Sequence, residues 1–127
     1  MGFITESLED VHEPIAAPEG DYDVRIIKAE RKESKKGRDM IALLLKIDGY
    51  DAQPFNHFLL SWNSMDDDED QIRMRKLEIK RFVAAFDLPD DFDAEDCVGQ
   101  TASVYLTQEV GDDDVVRNRM RLPRIKE

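Results

Sequence analysis

The chain has a single cysteine, Cys97, among its 127 residues. It can form no internal disulfide, so nothing in its cysteine usage calls for an oxidising compartment. No apolar run approaches the roughly 18 residues of a membrane-spanning helix. The opening MGFITESLED has no basic stretch leading into an apolar one, which predicts no secretory leader. Glu6 stands where a myristoylation signal wants serine or threonine. A cytoplasmic protein that does not attach to membranes is the expectation.

Catalytic signatures are missing too. HExxH, GxSxG, the glycine-rich phosphate loop and CxxC pairs do not occur. The two histidines, His12 and His57, lie far in sequence from Cys97. The acid runs at 66–70 and 112–114 lack the glycine and terminal glutamate of a calcium loop. These absences predict a protein that is not an enzyme, with no metal site and no cofactor.

What the chain has in excess is acid. Its formal net charge is -11, which taken whole argues against a polyanionic partner. The distribution is uneven, however. Residues 1–20 carry five acids and no Lys or Arg; residues 21–62 carry eight bases against seven acids. Residues 63–114 hold sixteen acids against five bases, and residues 115–127 hold five bases against one acid. The local field decides what docks on one face, so the basic segments keep an anionic partner open.

Periodicity supplies the elements. Residues 1–20 show no sustained period and contain prolines, which predicts an arm with a short helix near Glu6–Val11. Asp21 to Lys32 alternates as a strand, with Tyr22, Val24 and Ile26 on one face. The alternation slips at Ile27–Lys28–Ala29, the mark of a β-bulge. Ser34 to Arg38 is a turn with Gly37 at positive φ. Met40 to Asp48 and Phe55 to Trp62 are the second and third strands. Ile72, Ile79, Phe82, Val83 and Phe86 then recur at helical spacing behind the acid run DDDED, which suits a helix N-terminus. A connector with one helical turn leads to a fourth strand, Gln100 to Val110, and a fifth, Val115 to Leu122.

Five strands with a helix between the third and fourth predict a mostly β protein. The specific expectation is the OB-fold, a five-stranded Greek-key barrel whose lower end the helix plugs with Phe82, Val83 and Phe86. An open sheet carrying one helix is the competing architecture. The expected divisions are an arm at 1–20, the barrel at 21–122 and a short basic tail at 123–127.

Several short motifs add a resemblance. Pro18-Glu19-Gly20-Asp21-Tyr22-Asp23-Val24 opens the first strand, and Ala29-Glu30-Arg31-Lys32 with Ser34-Lys35-Lys36-Gly37 precedes the second. Asn63 follows the third strand, and Val98-Gly99-Gln100-Thr101 precedes the fourth. In these the chain resembles a family of small phage-encoded OB-fold proteins that bind single-stranded DNA. The resemblance implies a protein that coats or escorts single strands in phage replication, recombination or repair, in the host cytoplasm, alongside replication or recombination proteins. The basic ending RLPRIKE departs from the acidic tail with which many single-strand binders recruit partners.

The candidate interface residues follow from that chemistry. Arg117, Arg119 and Arg121 alternate along the fifth strand and so share a face, about 6.5–7 Å apart, close to the phosphate spacing of a single strand. Arg124 and Lys126 continue the charge. Bases need flat side chains to stack on, and Tyr105 is the leading candidate by its outward parity. Trp62 comes second, with Phe58, Phe55 and Tyr22 as competitors. Arg25 and Lys46 would flank the same face, and Lys35, Lys36 and Arg38 would clamp from the first turn. A homodimer through strand edges is compatible with so small a barrel. The rival reading is a protein-interaction or inhibitory module whose acidic middle docks on a basic partner.

Overall fold

The computed structural model describes residues 2–9, 15–35, 37–62, 65 and 67–125. Its strands are β1 (Gly20–Glu33), β2 (Asp39–Ile47), β3 (Phe55–Leu60), β4 (Thr101–Val110) and β5 (Val116–Arg121). Between β3 and β4 come the main helix α1 (Glu69–Phe86) and a single turn, α2 (Ala94–Cys97). The five strands form one antiparallel sheet in the order β3-β2-β1-β4-β5. The sheet curls until β3 approaches β5, giving a nearly closed, OB-like barrel. Among the described residues no helix is long and apolar enough to cross a membrane.

β1 makes this curvature possible. Gly20–Arg25 pair with β4 and Val24–Glu33 pair with β2, so one strand serves two neighbours along different stretches that overlap only at Val24 and Arg25. The register slips between Ile26 and Lys28, where the alternation breaks in the sequence. The bulge also switches side-chain parity. Val24 and Ile26 point into the core before it; after it Ala29 faces the interior and Lys28 faces solvent. At the turn to β2, Gly37 has φ +78°, a conformation that costs a residue with a Cβ.

The interior is apolar. Leu43, Leu45 and Ile47 of β2, Phe55 and Leu59 of β3 and Ala102, Val104 and Leu106 of β4 are all buried. α1 supplies Phe82 and Phe86, with ring centroids 4.8 Å apart, and Phe82 also meets Phe92 at 5.8 Å. Burying each of these rings contributes roughly 1.5–3 kcal/mol. The acid run does start the helix. Asp68 is its N-cap and accepts from the Gln71 amide at 2.8 Å, while Gln71 Oε1 accepts from the Asp68 amide at 3.1 Å. Such a capping box is worth about 0.5–2 kcal/mol.

The segment before β1 is more than an arm. Residues 2–9 form no helix, but Ala17 is fully buried and laced to β4 and β5. The amide of Ala17 donates to Asn118 Oδ1 at 2.8 Å, and Asn118 Nδ2 donates back to the Ala17 carbonyl at 2.9 Å. Gln108 Nε2 donates to the same carbonyl at 2.9 Å. Two residues earlier, the Ile15 carbonyl accepts from the Gln53 amide at 2.9 Å, and the Gln53 side chain donates to the Val116 carbonyl at 2.9 Å. Residues 15–17 thus bridge the loop before β3 and the start of β5, where the two strands do not pair directly.

Replacing Asn118 by alanine strands the amide of buried Ala17 and removes the bridge. The free energy of urea unfolding should fall by about 1–3 kcal/mol, the cost of leaving a buried polar group unmatched. A wild-type midpoint and slope for Asn118→Ala would refute this role.

Candidate functional site

Cross-strand register gathers a set of side chains on the outer surface of β1, β2 and β3. Lys28, Leu44 and Asn56 form one row, Glu30, Ala42 and Phe58 the next, and Lys32, Met40 and Leu60 the third. Phe58 is 50% exposed beside the small Ala42, unusual for a phenylalanine in so small a barrel. A shallow depression over Ala42 and Leu44 lies between Lys28, Glu30 and Lys32. Arg25 and Lys46 are paired across the strands just beyond, before the bulge. Lys28 and Lys46 make no ion pair among the described residues, whereas Lys32 lies 3.6 Å from Glu30.

The other expected contacts divide between free and committed cations. Arg25 lies 3.4 Å from Asp48, and it also donates to the Gly99 carbonyl at 3.4 Å. Arg38 is largely buried against Asp67, whose carboxylate is 1% exposed, so it ties the β1–β2 turn to the start of α1. An ion pair this dry holds structure, since stripping one partner would bury a bare charge. Lys35 is exposed on the turn; Lys36, Asn63 and Lys126 lie outside the described residues, as does His12.

The arginine row of β5 is on one face and exposed, as its alternation requires, but two of its three members are occupied. Arg117 holds Asp113 at 2.7 Å and Arg119 holds Glu109 at 3.3 Å. Arg117 keeps the Asp113 carboxyl down at about 2. That pair therefore persists through the neutral and mildly acid range, opening only as pH falls towards the lowered value. Arg121 alone of the three has no ion pair among the described residues, and Tyr105, 37% exposed, is its cross-strand neighbour.

Trp62 does not join Tyr105. It follows β3 on the α1 side, where Lys76 Nζ stands 5.0 Å over its ring in a cation–π contact. His57 Nε2 is 3.3 Å from Glu78 Oε1 of α1, close enough to pair though not aligned for a hydrogen bond. His57 is the main influence holding the Glu78 carboxyl below its ordinary value. Among the described residues no three His, Cys, Asp or Glu side chains converge as a metal site.

Alternation alone shows that Phe58 and Phe55 point to opposite faces, but both faces of β3 carry apolar residues. Only the pairing of Phe58 with Ala42 identifies it as the outward aromatic. Sequence reasoning sets Phe58 behind Tyr105 and Trp62, and includes neither Lys28 nor Lys32 among its candidates. Arg25 and Lys46 fall beside it as expected. Tyr105, Arg117, Arg119 and Arg121 form a separate group on β4 and β5.

Cys97 is buried, with its thiol donating to the Asp93 carbonyl at 3.6 Å. Burial, with Asp96 and Asp93 nearby, pushes the thiol up to about 11. At pH 8 only about one thiol in a thousand is then ionised, and the thiolate is the reactive form. Ellman's reagent should leave Cys97 unmodified in the native protein and modify it quickly in urea. Native labelling as fast as that of a free cysteine would contradict this placement.

Comparison with known proteins gives one assignment. A search of curated proteins finds no match. Residues 5–115 match a family described as a protein of unknown function, DUF669. That stretch takes in the bridging segment, the helix and four of the five strands, and the chain therefore belongs to this family.

Proposed function

We propose that the protein binds single-stranded DNA with little sequence preference and escorts it in phage replication, recombination or repair, in the host cytoplasm. The observation that carries this reading is the outer face of β1–β2–β3, where half-exposed Phe58 stands among apolar neighbours beside the unpaired Lys28 and Lys46. Single-strand binders combine a stacking surface with cations that follow the backbone, and OB-folds use the face of strands two and three. In this reading a base stacks on Phe58, Lys28 and Lys46 hold phosphates, and Lys35 reaches over from the β1–β2 turn. Arg121 and Tyr105 form an outlying contact. Arg117 and Arg119 contribute only if an incoming phosphate displaces Asp113 and Glu109.

That occupancy also favours a second reading. With two arginines neutralised and the acidic turn at 112–114 beside them, the β4–β5 end presents net negative charge. A basic protein partner would dock there, in the manner of a nucleic-acid mimic.

Titration of a fluorescent oligo-dT distinguishes the two readings. Affinity should fall as salt rises, with a slope of about -0.7 per phosphate neutralised, and Lys28→Ala with Lys46→Ala should flatten that slope. Phe58→Ala should cost about 1–3 kcal/mol, the value of one stacked base. Asp113→Asn with Glu109→Gln should raise affinity by unmasking the β5 arginines. Absence of any oligo-dT signal at low salt would end the first reading, and binding to a basic peptide under the same conditions would favour the second.

A further inference from the structure

A groove of about 450 Å³ runs along α1 from its N-cap to Arg81 and against the end of β5. Its apolar surface comes from Met74, Leu77 and Leu122. Met74 is 63% exposed, a large apolar side chain with no cover. Three arginines line the groove: Arg75, Arg81 and Arg121. None makes an ion pair among the described residues, and Arg81 Nε is buried without a hydrogen-bond partner. The three acids at the same groove have neighbours of their own, and Arg75 also acts on Glu78. Asp68 caps the helix, Asp70 holds Arg73 at 3.5 Å, and Glu78 faces His57. With Asp70 paired to Arg73, three arginines face the two other acids, Asp68 and Glu78, which leaves a small positive excess over an apolar floor in a chain of net charge -11. It suits an acidic segment with apolar side chains.

The chain carries one such segment itself. Residues 2–9, GFITESLE, contain Glu6 and Glu9 with no Lys or Arg. Phe3 is fully exposed, and Ile4 and Leu8 are more than half exposed. These residues leave the groove of their own chain unfilled, although the chain is anchored on β5 at Asn118, only three residues from Arg121. We infer that residues 2–9 of one molecule dock in the α1–β5 groove of a second copy, with Phe3, Ile4 and Leu8 on Met74, Leu77 and Leu122 and the two glutamates against Arg75, Arg81 and Arg121.

The contact joins two different surfaces, so it is heterologous and extends head to tail unless it closes into a ring. An eight-residue segment buries less than the roughly 1,200 Å² of a stable complex. Each link is therefore weak, and many links act together only when the molecules are aligned. The surfaces involved share no residue with the outer face of β1–β2–β3. The association needs no nucleic acid, and the groove and the binding reading share only Arg121, the outlying contact. The Glu6→Arg with Glu9→Arg variant leaves Arg121 in place. It should therefore lose association while keeping its affinity for oligo-dT, which separates failure of one reading from failure of the other.

Sedimentation velocity on the full chain tests it, with circular dichroism confirming that each variant is folded. The wild type should sediment faster as concentration rises, and salt should weaken the effect. Arg75→Glu with Arg121→Glu gives the groove the wrong charge, and Glu6→Arg with Glu9→Arg does the same to the segment. Each double variant alone should stay monomeric, whereas a mixture of the two should associate, because basic segments then meet acidic grooves and acidic segments meet basic ones. The segment variant alters no residue of the barrel, so its folding is not at risk. A wild type that stays monomeric up to about 1 mM, where even a contact of about -4 kcal/mol would register, overturns the inference. So does a mixture that fails to associate, or a segment found docked on its own chain.

Discussion

The barrel depends on a polar clasp at its one weak seam. β3 and β5 are the two ends of a five-stranded sheet and must meet for the barrel to close, yet they lack the ladder that joins every other neighbour. Open edges of this kind invite pairing with another chain. Asn118 resolves the problem from inside. It is only 4% exposed, and its amide side chain matches both the N–H and the C=O of Ala17, as a neighbouring strand would. The segment so held extends to Ile15 and meets Gln53, whose side chain returns to Val116. A buried amide is costly when unmatched and specific when matched, which is why a single asparagine can set the position of a whole segment.

The same reasoning about matched and unmatched groups sorts the charges. The net value of -11 describes the chain as a whole but no particular surface. Acids neutralise Arg117 and Arg119 locally, Arg38 is held by Asp67, and Arg31 is shared between Asp39 and Asp93. Apart from the buried Arg38–Asp67 pair these are exposed and add little stability. Their effect is to decide which cations remain available. Lys28 and Lys46 remain so on one face, and Arg75, Arg81 and Arg121 on another. An acidic chain can in this way keep unpaired cations on two small surfaces.

Much of the fold was legible in the sequence because it rests on local periods. The two-residue alternation of β1, its break at Ile27, the positive φ of Gly37 and the apolar stripe of α1 all depend on neighbours within a few positions. The clasp was not legible in the same way. Asn118 shares its face with Met120, and that parity alone signals a buried polar group needing partners, but those partners lie 101 residues away at Ala17. The arginine row shows the opposite case. Its shared face follows from alternation, while its occupancy depends on Asp113, four residues before Arg117, and on Glu109 across the hairpin. Both acids are near in sequence; only the geometry of the turn shows that they reach the guanidinium groups. Phe58 fell between these cases, since either face of β3 could have been the inner one until its register with β2 was fixed.

The bulge at Ile27 ties these points together. Had β1 kept strict alternation past Ile26, Ala29 would face solvent and Lys28 would be driven towards the core beside Leu43. The extra residue reverses that parity and lets one long strand bend enough to pair with both β2 and β4. One local irregularity thereby shapes the barrel and sets Lys28 in a row with Leu44, next to Phe58. Deleting Ile27 would make Ile26 and Lys28 consecutive opposite Leu45 and Leu44, which keeps Lys28 outward and Ala29 inward while it removes the kink. The bulge residue itself is thus needed for the bend and not for the outer face.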